Sequence, residues 1–228
     1  GGTFVGGVYL ESAARFAGWL LTAGLRADDW ATTGGHQIQT VLATGAVTQS
    51  QHFAARSGTV PTARLGVRRD FGDAFYLRGA AYGGFRAPSL NELYRPFRQG
   101  NNITIANPDL KPEKLYGAEI GMGGVEGALN LDATGFWNQL HGAISNVTIG
   151  QGPGSFPNAG FVPAGGLLIQ RQNVGNIKAY GIEAATHYRL TDALRLNAAF
   201  DYVDAHVDGE AQDPGLTGKR PSQAPHLT

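Results

Sequence analysis

Apolar and polar side chains alternate along this sequence with a period of two, as they must in strands whose two faces meet unlike surroundings. Near residues 193 to 207, Leu194, Leu196, Ala198, Phe200 and Tyr202 fall on one face, and Arg195, Asn197 and Asp201 on the other. Residues 127 to 140 set Leu129, Leu131, Ala133 and Trp137 against Asn130, Asp132, Thr134 and Asn138; residues 178 to 190 set Tyr180, Ile182, Ala184 and Tyr188 against Glu183, His187 and Arg189. Weaker versions run over 3 to 11, 19 to 30, 60 to 71, 74 to 85 and 113 to 123. Together the eight segments cover roughly 43% of the chain, about twice the usual strand content, which leaves little room for helix. Glycine, at 34 of 228 residues, interrupts two segments at Gly79, Gly83, Gly117 and Gly121, where a curved sheet needs bends and close approaches.

The connections alternate in length. Gly72-Asp73, Gly124 to Glu126 and Thr191-Asp192 read as tight turns, and 12 to 18 is fairly short. Between them lie long connections at 31 to 59, 86 to 112 and 141 to 177, with another opening at 208. Regular alternation of this kind demands a sheet with two different ends. A transmembrane β-barrel has them, whereas a soluble sandwich or a propeller fragment shares only the alternating strands. The expected fold is therefore all-β: an antiparallel up-and-down transmembrane β-barrel, of which residues 1–228 supply an incomplete segment of about eight strands. In such a wall the Leu, Phe, Trp and Tyr face meets outer-membrane lipid and the ionic face lines a wet interior. Tyr180, Tyr188, Tyr202, Trp30 and Trp137 are candidates for the interfacial aromatic girdles.

Composition agrees with that reading and excludes others. Charged residues are only 16% of the chain, and 18 basic side chains balance 18 acidic ones, so no basic face points to nucleic acid as a partner. Residues 1–228 contain no cysteine, which removes disulfides, thiolate nucleophiles and Cys-ligated metal. No apolar run approaches the ~20 residues of a membrane helix. The one methionine is Met122 and the sequence opens Gly1-Gly2-Thr3, so it reads as a piece of a longer protein.

The stretch Gly84-Phe85-Arg86-Ala87-Pro88-Ser89-Leu90-Asn91-Glu92-Leu93-Tyr94, followed by Asn107-Pro108-Asp109-Leu110-Lys111-Pro112-Glu113 and then Glu119, resembles the C-terminal half of TonB-dependent outer-membrane receptors. Asn173-Val174-Gly175-Asn176 before Gly181-Ile182-Glu183, and Leu25-Arg26-Ala27-Asp28, are similar to strand motifs of the same family. The resemblance implies a barrel of 22 strands around an N-terminal plug. It also implies coupling, through the plug, to the TonB energy-coupling complex, and residence in the outer membrane of a Gram-negative bacterium. Residues 1–228 would then be a partial barrel domain, with the plug and the terminal strands absent, ending at Pro225-His226-Leu227-Thr228 where a further strand is expected. The implied activity is import of a scarce, bulky nutrient, foremost a ferric siderophore, with cobalamin or an oligosaccharide as alternatives. No enzymatic step and no cofactor are implied. A stand-alone small barrel or adhesin and an outer-membrane hydrolase are the competing readings.

Individual residues read as follows. Pro88, Pro108 and Pro112 cannot donate to a ladder and mark where strands stop. Arg86 and Glu92 are expected to pair with each other or with lumen partners, and Glu113, Glu119 and Glu183 to join wall networks with Arg64, Arg68, Arg78 or Arg189. The loop from 86 to 112 carries a net of two positive charges beside aromatic and amide groups. Arg86, Tyr94, Arg95, Phe97, Arg98, Asn101 and Asn102 are the candidate ligand-binding set. Their chemistry suits an anionic, partly aromatic iron chelate, and equally the anionic lipopolysaccharide around the loop. No phosphate-loop, zinc-protease or nucleophile-elbow motif occurs. His36, His52, His141, His187, His206 and His226 lack i, i+2 or i, i+4 spacing, so no metal site is expected. Asp208, Glu210 and Asp213 read as a solvated acidic loop, and Asn146-Val147-Thr148 as an incidental sequon.

Overall fold

The computed structural model describes residues 1–209 and 214–221; Glu210, Asp213 and the segment from Pro225 lie outside the described residues. Its elements are β1 (Gly2–Phe16), β2 (Trp19–Thr33), β3 (His36–Thr40), β4 (Val47–His52), β5 (Arg56–Phe71), β6 (Phe75–Arg86), α1 (Leu90–Tyr94), β7 (Phe97–Gln99), β8 (Asn102–Ile105), β9 (Glu113–Glu126), β10 (Leu129–Gln151), β11 (Gly154–Phe156), β12 (Gly160–Val162), β13 (Leu167–Arg189) and β14 (Arg195–Asp208). The eight alternating segments are the eight long strands, joined antiparallel in the order β1-β2-β5-β6-β9-β10-β13-β14. This is one wall of an up-and-down transmembrane β-barrel, with β1 and β14 as unjoined edges among the described residues. No helix among them is long and apolar enough to cross a membrane.

Register fixes the two faces. Leu10 stands opposite Leu25, Leu77 opposite Met122 and Ile182 opposite Tyr202 on one side. Tyr9 opposite Arg26 and Arg64 opposite Tyr82 lie on the other. Ile120 is 72% exposed, Leu25 63% and Leu65 62%, exposures that a water-soluble sheet would bury and that hydrocarbon welcomes. Leu194, Leu196 and Phe200 are exposed on the same face, while Asp201 is half-buried on the other.

Strand reaches 72% of the structure, above the sequence expectation, because six short strands form within the long connections and several of the long strands outrun their segments, β10 and β13 reaching 23 residues each. About 9–11 residues suffice to cross the bilayer, so these two strands continue well past it. The expected connection at 141 to 177 therefore shrinks to 152 to 166. Alternation fails beyond residue 140 because the extensions are covered by loops, and Ala143, Val147, Leu168 and Val174 are buried there. One turn also moves. Gly124 and Glu126 still pair with Leu131 and Leu129, so the chain reverses at Gly127-Ala128, where Gly127 takes φ +57°. Between β1 and β2 the turn is only Ala17-Gly18, both left-handed, as a two-residue hairpin requires.

Trp30 does not join a girdle. It shares parity with Arg26 and Asp28, turns to the ionic face and is 8% exposed, with the Arg56 guanidinium 5.9 Å from its ring. Trp137, Tyr180 and Tyr188 do stand exposed on the apolar face. On the ionic face, long side chains of β6 reach across β9 to β10. The Tyr82 hydroxyl donates to Asn138 Oδ1 at 3.1 Å, Arg78 Nη2 donates to Thr134 Oγ1 at 2.6 Å, and the Tyr76 hydroxyl donates to Asp132. Gly117, Gly121 and Gly123 of β9 lie beneath these arms, and a Cβ at Gly117 would collide with both Tyr82 and Asn138. Three of the 34 glycines serve this passage. Arg78 also pairs with Glu119 at 3.0 Å, as the sequence suggested, whereas Glu113 is held by Arg86, which was not among its expected partners.

Candidate ligand-binding loops

The long connections lie at one end of the wall, opposite the tight turns, and pack into a cap with its own interior. Ser89 opens α1 with a capping box: its Oγ accepts from the Glu92 N–H at 3.3 Å, and its own N–H donates to Glu92 Oε2 at 2.7 Å. The same carboxylate takes both terminal nitrogens of Arg86, at 2.9 and 3.1 Å. Arg86 Nε reaches the other way, to Glu113 Oε2 at 2.5 Å, and Glu113 Oε1 accepts from the Ile144 N–H at 2.7 Å. One guanidinium thus joins α1 to β6, β9 and β10. Glu113 is 6% exposed, so a charge there requires such a partner. Burial pushes the Glu92 carboxyl up, yet the hydrogen bonds from Arg86 and Ser89 outweigh it and hold the group below the usual carboxylate range.

Beyond the capped helix the chain is tied on both flanks. Leu93 and Leu110 are 2% and 1% exposed. Arg56 Nη1 donates to the Pro108 and Leu110 carbonyls at 2.5 and 2.8 Å. The Lys111 N–H donates to Asn173 Oδ1 at 2.8 Å, and Asn173 Nδ2 returns a bond to the Lys111 carbonyl at 3.0 Å. Asn107 Nδ2 donates to the Arg171 carbonyl at 2.8 Å. A hairpin of β7 and β8 then docks in parallel on β13, and Ile103, Leu168 and Val162 close a small apolar core beneath it.

The structure divides the candidate residues into three groups. Arg86 and Tyr94 anchor the loop: Tyr94 stacks on Phe53 at 4.9 Å between centroids, and its hydroxyl donates to Thr32 Oγ1 at 3.4 Å. Arg98, Asn101 and Asn102 tie the β7–β8 hairpin to the neighbouring loop. Arg98 Nη2 donates to the Phe161 carbonyl at 3.1 Å, Asn101 Nδ2 donates to the Ala164 carbonyl at 3.4 Å, and Asn102 Oδ1 accepts from the Leu167 N–H at 2.9 Å. Arg95 and Phe97 remain exposed, with Arg171 from β13 beside them. Arg171 places its guanidinium 5.2 Å from the Phe97 ring and donates to the Asn91 and Arg95 carbonyls at 3.0 and 3.4 Å. Arg171 and Arg56 escape a reading of sequence because each acts on a loop far from it in the chain. Asn173 had a signal, being the first residue of the motif at 173 to 176.

An antiparallel wall with one apolar and one ionic face, tight turns at one end and a loop cap at the other defines one side of a transmembrane β-barrel. The family model described as "TonB dependent receptor-like, beta-barrel" matches residues 2–228, and the chain belongs to that family. Over 202 residues it is 25% identical to the vitamin B12 transporter BtuB of Photobacterium profundum, covering 89% of this chain and 26% of that protein. Solved structures share the fold. A double mutant of the Serratia marcescens hemophore receptor HasR, in complex with its hemophore HasA and heme, superposes with TM-score 0.71 at 16% identity, over 89% of this chain and 34% of that one. The siderophore receptor PirA of Pseudomonas aeruginosa gives 0.67 at 17% identity, over 89% and 34%. The chain thus spans about a quarter of the curated relative's length and a third of each solved chain.

Proposed function

We propose that this chain is a wall segment of an active transporter in the outer membrane of a Gram-negative cell, and that the receptor imports a ferric siderophore. The plug and the remaining strands would lie outside residues 1–228, and the TonB energy-coupling complex would act through the plug. Family membership and the neighbours named for vitamin B12, heme and a siderophore support import of a bulky nutrient. The observation that carries the siderophore reading is the exposed Arg95 and Phe97, with the half-buried Arg171 beside them, on a loop cap tied down by Arg86. The Arg171 guanidinium beside the Phe97 face, with the exposed Arg95 on the same loop, suits an anionic ligand with aromatic rings, through charge-assisted hydrogen bonds and stacking. Arg98, Asn101 and Asn102 set the hairpin that presents Phe97, and Arg86 and Tyr94 set the loop that presents Arg95.

Growth of a deletion strain on single iron sources tests this reading. Loss of growth on one chelate, restored by the wild-type gene but not by the Arg95→Ala, Phe97→Ala double variant, is expected. Unimpaired growth on every ferric siderophore, with a defect on heme, cobalamin or an oligosaccharide instead, would replace the substrate and retain the transporter.

A further inference from the structure

Hairpin β3–β4 stands in the cap between β2 and β5, and its register sets His36 directly opposite His52. The Phe53 N–H donates to the Gly35 carbonyl at 2.8 Å, one step outside this pair. His36 and His52 therefore form a non-hydrogen-bonded pair, the arrangement in which facing side chains come closest. Their ring centroids are 6.2 Å apart and both residues are exposed. His36 Nδ1 lies 3.3 Å from the Gly34 carbonyl oxygen. With the ring proton on Nδ1 and donated there, Nε2 keeps its lone pair; fixing the tautomer through a backbone carbonyl is the usual support of a metal-ligating histidine.

We propose that His36 and His52 form a two-histidine site for a divalent first-row transition-metal ion, with Cu²⁺ bound most tightly. Metal–imidazole bonds of about 2.0–2.1 Å place two rings on a shared ion with centroids roughly 4.5–6.4 Å apart, as the angle at the metal opens from a right angle to a straight line. The observed 6.2 Å lies inside that range. Imidazole ligation follows the order that peaks at copper among divalent ions. The strand positions around the pair, Gln37, Gln39, Gln49, Ser50 and Gln51, are uncharged, so the hairpin itself offers no cation to repel the metal. Two protein ligands leave coordination positions to water or to an incoming donor, which makes the site open and exchangeable. Spacing along the sequence hid it, because the two histidines meet across a hairpin instead of along one element. The site does not depend on which nutrient the receptor imports.

The test uses the receptor expressed from its complete gene, purified in detergent and stripped of metal, then titrated with Cu²⁺. One equivalent should bind with micromolar affinity and show nitrogen hyperfine structure from two imidazoles in its electron paramagnetic resonance spectrum. His36→Gln or His52→Gln should each weaken binding at least about tenfold, while His187→Gln should leave it unchanged. Heat-modifiable mobility on gels reports that each variant is folded. In wild-type receptor, Zn²⁺ should shield His36 and His52 together from diethyl pyrocarbonate, a readout that needs no variant. Unchanged Cu²⁺ binding in both folded variants, no binding by wild type, or modification of both histidines undiminished by Zn²⁺ would each overturn the site.

Discussion

The wall and the cap are held together by different means. In the wall, strand pairing supplies the connections, one face offers apolar side chains outward, and ionic arms cross the other in a single layer. In the cap, short irregular elements enclose buried side chains such as Leu93, Leu110, Val162 and Val174. The wall borrows its hydrophobic environment from the membrane; the cap has to make its own. That difference explains why charge is spent differently in the two places. Arg78 bridges half-exposed partners on the wet face, whereas Arg86 neutralises a carboxylate that packing has nearly removed from water.

Substitutions in each region can break this contrast. Leu110→Ala should cost about 2–5 kcal/mol, confined to the cap. Hydrogen exchange across residues 87–112 should accelerate while the strands stay protected. Ile120→Arg should cost about 2–4 kcal/mol in the wall when the receptor is unfolded by urea from lipid vesicles, and leave cap exchange unchanged. Arg86→Gln strands the buried Glu113 carboxylate and should cost about 1–3 kcal/mol, read as loosening of α1 and the start of β9 in the same exchange experiment. Glu92 has a lowered value in the folded cap. Its clamp therefore contributes fully above the unfolded carboxylate value, near about 4.3, and loses that contribution only as pH falls through the lower folded value. Exchange of residues 89–95, corrected for intrinsic rates, should stay slow at about pH 5 and rise only under more acid conditions. Smallest of all, Arg64→Ala removes an exposed pair with Glu11 and should change stability by less than about 0.5 kcal/mol.

The same division decides what could be read from the sequence. Strand alternation is local, so Leu194 to Tyr202 or Leu129 to Trp137 declare their faces without knowledge of any partner. Parity even disposes of Trp30 once it is counted from Leu21 and Leu25. Loop packing is nonlocal. Nothing near Arg56 announces that it holds the Pro108 and Leu110 carbonyls, and nothing near Arg171 announces Phe97. The strand extensions past residue 140 stayed hidden for a related reason: loops bury Ala143 and Val147 while Asn146, Thr148 and Ile149 stay exposed, so neither face keeps one environment and the period of two disappears. Of the candidate ligand residues, Arg86 was legible as a partner of Glu92, while the anchoring roles of Tyr94, Asn101 and Asn102 required the folded cap.

Residues 1–228 contain no cysteine, so once any cysteines elsewhere in the receptor are replaced, single cysteines can be placed one at a time in the wall of the receptor reconstituted in lipid. Spin labels at 25, 65, 120 and 182 should collide with dissolved oxygen and be shielded from a water-soluble nickel chelate. Labels at 64, 119, 134 and 183 should show the reverse. Equal exposure of the two sets to the nickel chelate, or oxygen preference at the second set, would contradict a wall whose greasy side faces lipid.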